Sequence, residues 1–96
     1  MLPGVYRNML ACGKSAMAVR VDLDKGAQVP LHTHPHEQTG HLASGRATLQ
    51  IGDCAVELKP GDGYAIPPNV PHGVIECPEN SVFVDVFTPP REEYRQ

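Results

Sequence analysis

The chain has 96 residues, 41% of them hydrophobic, and a formal net charge of −3 at pH 7, which suits one domain over residues 1–96 with a modest core. Eight Lys and Arg stand against eleven Asp and Glu, in no basic stripe and without interleaved aromatics, which argues against a nucleic-acid partner. No apolar run approaches the length of a membrane span, and Met1-Leu2-Pro3-Gly4 lacks the basic and apolar regions of a secretory leader.

Ten prolines and nine glycines fit short strands joined by tight turns. In chain order, strands are expected at residues 7–12, 16–23, 29–34, 38–44, 46–51, 54–58, 63–66, 72–77 and 81–87. Gly13-Lys14-Ser15, Asp24-Lys25-Gly26, Gly52-Asp53, Pro60-Gly61-Asp62 and Pro78-Glu79-Asn80 supply turns between them. Met17, Val19, Val21 and Leu23 alternate with Ala18, Arg20 and Asp22, as a strand with one buried face should. So many short strands predict an all-β barrel or sandwich. Cys12, Cys54 and Cys77 are odd in number and lack CxxC spacing, which suits reduced thiols and a cytoplasmic location.

The third and fourth strands carry His32, His34 and Gln38, and the eighth carries His72. Residues two apart on a strand share a face, so His32 and His34 can aim at one point. Three imidazoles and an amide are neutral N and O donors that suit one divalent transition metal with positions left open for a ligand or substrate. Zinc, nickel, manganese, iron and cobalt all suit this set. Glutamine cancels none of the metal's charge, so the site favours a small anionic substrate, unless Gln38 only preserves shape. Glu37 should point away from the site, though a bulge could exchange it with Gln38. His41 should face outward, onto the barrel surface or a subunit contact.

In the last strand Ser81, Phe83, Asp85 and Phe87 share one face and Val82, Val84 and Val86 the other. An unpartnered carboxylate in a dry core is costly, so Asp85 must meet solvent or a functional cavity. Val82, Val84 and Val86, with the first strand, offer apolar edges that a second copy could cover, and an isologous homodimer is expected.

Gly26, His32, His34, Gln38 and Gly45, at spacings of five, three and six residues around His-Thr-His, resemble the first cupin motif. Gly61, Pro67, Asn69 and His72 resemble the second, and fifteen residues separate the two. Gln38 replaces the commoner glutamate, Asn69 a frequent glycine and Glu76 the usual asparagine. The resemblance implies a double-stranded β-helix jelly roll, with metal ligands His32, His34, Gln38 and His72, and His36 in the turn between them.

The tail Asp85-Val86-Phe87-Thr88-Pro89-Pro90-Arg91 resembles that of the small cupins of pectin degradation, the group that opens unsaturated uronate rings. That resemblance implies an isomerase acting on 4,5-unsaturated uronate monosaccharides, with Asp85, Phe87 and Arg91 lining the site. Asp85 is then the candidate for moving the proton, Phe87 an apolar wall, and Arg91 a carboxylate clamp or, in the other reading, the partner of Glu92 or Glu93. Gly40 departs from the bulky residues usual there and should leave an inward side chain missing. An Fe or Mn dioxygenase and a non-catalytic, metal-containing small-molecule-binding cupin are rival readings; an acid at 85 and a cation at 91 fit proton transfer on an anion better.

Overall fold

The computed structural model describes residues 2–94. Its strands are β1 (Val5–Cys12), β2 (Met17–Leu23), β3 (Val29–His32), β4 (Glu37–Ser44), β5 (Ala47–Ile51), β6 (Cys54–Leu58), β7 (Gly63–Ile66), β8 (His72–Glu76) and β9 (Ser81–Thr88), followed by a 3₁₀ turn at Glu92–Tyr94. They form two antiparallel sheets, ordered β1-β2-β9-β4-β7 and β3-β8-β5-β6. This is the expected all-β jelly roll.

Side-chain alternation decides which faces meet. In β9, Ser81, Phe83, Asp85 and Phe87 are buried while Val82, Val84, Val86 and Thr88 are half-buried. In β2, Met17, Val19 and Leu23 point inward likewise. One apolar cluster, including Leu23, Leu42, Leu49 and Phe83, fills one part of the interior, and Met17, Val19 and Phe87 form a second. Leu42 is 0% exposed, so Leu42→Ala should cost about 2–5 kcal/mol through lost contacts and the remaining cavity.

Two expectations need correction. β9 lies inside its sheet, between β2 and β4, so Val82, Val84 and Val86 form an outer face and not an edge. The edges of that sheet are β1 and β7. Second, β3 ends at His32, short of His34. Pro35 has no N–H to continue a ladder and restricts His34 before it, so a turn, and not strand alternation, orients His34. Pro30 is accommodated because β3 is an edge strand.

The motif residues have backbone reasons. Gly45 has φ +94°, and a Cβ there would stand 2.6 Å from Ser81 Cα. Asn69 has φ 66°, a left-handed conformation that asparagine tolerates better than most residues, so it can stand in for glycine. Its N–H donates to the His34 carbonyl at 2.9 Å, tying the second motif to the first.

Candidate functional site

His32 and His72 are direct cross-strand partners on β3 and β8, and the turn after β3 brings His34 beside them. One ligand atom from each of the three lies within 4.8 Å of the others. Each imidazole places Nδ1 against a backbone carbonyl: His32 on Pro30 at 2.9 Å, His34 on His36 at 3.0 Å and His72 on Val70 at 2.9 Å. A neutral imidazole has one N–H; donated there, it leaves Nε2 of each ring as a lone pair. Such backbone contacts are how metal-binding imidazoles are oriented.

The Nε2 atoms fit a cation. Nε2 of His72 is buried with no hydrogen-bond partner, a cost that a metal would remove. Gln38 reaches over from β4 in the facing sheet and sets Oε1 3.0 Å from His34 Nε2. With the His34 proton on Nδ1, those two atoms are both acceptors, as donors to a shared cation would be. Burial is the largest influence on both His72 and His34; it lowers the His72 pKa to about 4 and that of His34 below its usual value, outweighing hydrogen bonds that act the other way. Both rings therefore remain neutral near pH 7, the form that binds metal.

Asp85 is 5% exposed on the inner face of β9. The Tyr64 hydroxyl donates a short hydrogen bond to its Oδ1. Burial raises the Asp85 pKa to about 6, while hydrogen bonds from Tyr64 and Gln38 and the charges of Arg7 and His41 oppose the rise. Burial, then the Asp85 charge and hydrogen bond, push the Tyr64 hydroxyl well above its ordinary value, so it stays a donor. Gly40 is the register partner of both Asp85 and Tyr64. A Cβ on Gly40 would run into the Asp85 carboxylate and stand 2.8 Å from the Tyr64 hydroxyl. The space that Gly40 leaves is thus filled by this pair.

The chain after β9 closes the cavity. Arg91 is 9% exposed, with its guanidinium carbon 5.2 Å from the Phe87 ring centre and 4.4 Å from that of Tyr94. Its Nη2 pairs with Glu93 Oε2 at 2.6 Å, the ion pair weighed from sequence. Arg91 also lines the cavity that holds His32, His72, Gln38, Asp85 and Phe87. This inner cavity has a volume of about 60 Å³ and takes walls from both apolar clusters. An outer recess of about 320 Å³ adjoins it, sharing His32, Arg7, Arg91 and Tyr94.

The structure thus brings His32, His34, Gln38 and His72 together, and Asp85, Phe87 and Arg91 around the same cavity. Glu37 is exposed while Gln38 is buried, so no bulge exchanges them, and His41 is exposed on the outer side. Tyr64, Arg7 and Tyr94 were missed. Gly40 on an inward strand position signalled the first, because such a glycine marks the close approach of another group. Arg7 lies between Val5 and Met9 on the inward side of β1, and a charge at such a position is itself a signal.

The cupin domain family model matches residues 19–87. The chain belongs to the cupin family. This cupin is 34% identical over 92 residues to the pectin degradation protein KdgF of Dickeya dadantii, spanning 95% of the chain and 84% of that relative. A crystal structure of an RmlC-like cupin from Shewanella frigidimarina superposes with a TM-score of 0.91 at 34% identity, over 96% of this cupin and 82% of that chain. The structure of KdgF from a Halomonas species also gives a TM-score of 0.91, at 31% identity, covering 97% and 86%. Among the described residues, no helix is long and apolar enough to cross a membrane.

Proposed function

We propose that this cupin is a metal-dependent isomerase that opens 4,5-unsaturated uronate monosaccharides to linear 5-keto-4-deoxyuronates. The observation that carries the reading is that a buried carboxyl, Asp85, shares one small cavity with His32, His72 and Gln38, while arginines stand at its rim. The likeness to KdgF over nearly the whole chain supports the substrate class.

In this reading His32, His34, His72 and Gln38 hold the metal. When bound, zinc, nickel, manganese, iron or cobalt supplies a Lewis acid and a template for substrate oxygens. The protein's own groups handle the proton. The substrate's hemiacetal hydroxyl loses its proton, the bond from C1 to the ring oxygen breaks, and C1 becomes an aldehyde. The released enol gains a proton at C4, leaving a ketone at C5, so the reaction is redox-neutral and needs no co-reactant. Asp85 moves this proton, oriented by hydrogen bonds from Tyr64 and Gln38. Phe87 is an apolar wall, and Arg91, paired with Glu93, stands beside it at the cavity mouth.

The same reading takes the protein as a cytoplasmic homodimer. Its free cysteines, Cys12, Cys54 and Cys77, support a reducing compartment. Tyr6 and Leu10, exposed on edge strand β1, support pairing. Product identity is the test: NMR of the reaction should show the linear 5-keto-4-deoxyuronate under argon. Oxygenated products formed only in air would replace the isomerase with a dioxygenase.

A further inference from the structure

Arg7 has no role in the reading above, yet its position is unusual. It lies on the inward side of β1 between Val5 and Met9, and it lines both the inner cavity and the outer recess. The ion pairs among the described residues join Arg20 to Asp22, Lys59 to Asp62 and Arg91 to Glu93, and Arg7 stands in none of them. Its guanidinium carbon is 5.4 Å from the centre of the Tyr94 ring, whose centre is 4.4 Å from that of Arg91. Tyr94 therefore spaces two guanidinium groups at one opening.

The two cations are not equally available. Arg91 has a buried Nε without a partner, and its Nη2 is engaged by Glu93, which occupies one of the N–H groups it could offer a ligand and offsets part of its charge. Among the described residues no ion pair ties Arg7 to a carboxylate, though its charge reaches Asp85, and it lines both the outer recess and the inner cavity where His32 and Asp85 stand. A guanidinium fork matches a carboxylate with two parallel hydrogen bonds.

We propose that Arg7 is the residue that binds the substrate's carboxylate, and that Arg91, held by Glu93, Phe87 and Tyr94, mainly shapes the mouth beside it. This rests on the reading of the cavity as a site for a small sugar acid. It makes Arg7 a determinant of specificity for uronates over neutral sugars.

The test compares binding of galacturonate and galactose to zinc-loaded wild type, Arg7→Gln, Arg7→Lys and Arg91→Gln by NMR titration. Both sugars lack the 4,5 double bond and are not consumed. Wild type should bind galacturonate about tenfold or more tighter than galactose, as expected for a charge-assisted pair. Arg7→Gln should abolish that preference with zinc content unchanged, and Arg7→Lys should keep part of it. A preference that survives Arg7→Gln and disappears in Arg91→Gln would overturn the inference, as would equal or absent binding of both sugars by wild type. Turnover of an unsaturated uronate is measured in parallel. Turnover with an unchanged KM in Arg7→Gln removes this inference and leaves the ring-opening reading, whereas an Arg7-dependent preference without turnover does the reverse.

Discussion

The Tyr64 hydroxyl donates to Oδ1 of Asp85, and Gly40, facing both across the sheet, is the residue whose lack of a side chain lets them meet. A buried carboxyl is thereby held in place on the wall of the cavity.

Tyr64→Phe removes that donor and leaves a buried acceptor unpaired, which should cost about 1–3 kcal/mol of stability. Because the hydrogen bond from Tyr64 lowers the Asp85 pKa, its loss should raise that pKa further and move the ionisation governing activity to higher pH. Turnover should fall more than affinity, since the hydroxyl is engaged in positioning Asp85. Denaturant melts and pH–rate profiles of the variant check both parts.

Gly40→Ala should be worse than its size suggests. The added methyl meets the Asp85 carboxylate, the Val84 carbonyl at 2.7 Å and the Tyr64 hydroxyl at 2.8 Å. Forcing one methyl into such a packed site costs about 1–3 kcal/mol. A lowered melting temperature together with a reduced rate is expected; unchanged values for both would mean that the three strands can separate freely.

Metal content should follow the imidazoles. Elemental analysis of purified protein should find a divalent transition metal in wild type and loss of it in His72→Ala, because that Nε2 has no protein partner to satisfy it. Chelation should lower the melting temperature of wild type, since a ligand bound only by the folded state stabilises it.

The metal-free protein should show two opposing pH effects. His72 has its folded pKa lowered to about 4 from 6.5, so below pH 6.5 the unfolded chain binds the proton first; the stability it contributes is lost as pH falls from 6.5 toward 4. Asp85 has its folded pKa raised to about 6 from 3.8. Its contribution has the opposite sign, full below 3.8 and lost as pH rises through 6. Over the shared window the two partly cancel. Denaturant melts of metal-free Asp85→Asn should therefore gain stability with rising pH more steeply than wild type, and a shallower rise would contradict the assigned burial of Asp85.

Much of this arrangement was legible in the chain because it depends on local pattern. Alternation in 17–23 and 81–87 marked β2 and β9 with the correct inward faces. The two histidine motifs marked residues that the fold does bring together. Local reading failed where a residue's meaning depends on a distant neighbour. Gly40 read as a missing side chain because Tyr64 and Asp85 lie on strands far away in sequence. Arg7 went unnoticed because only the closed barrel puts β1 beside the 3₁₀ turn at Glu92–Tyr94. The apolar run in β9 suggested an edge because strand order is not written in alternation.

The central claim is that Asp85 moves a proton inside a metal-binding cavity, and turnover under argon tests it most directly. Metal-loaded wild type should remove the absorbance of an unsaturated uronate monosaccharide without oxygen, and Asp85→Ala, loaded with the same metal, should be slower by about 10²-fold or more. Equal rates for the two proteins, or loss of absorbance by wild type only when oxygen is admitted, would contradict it.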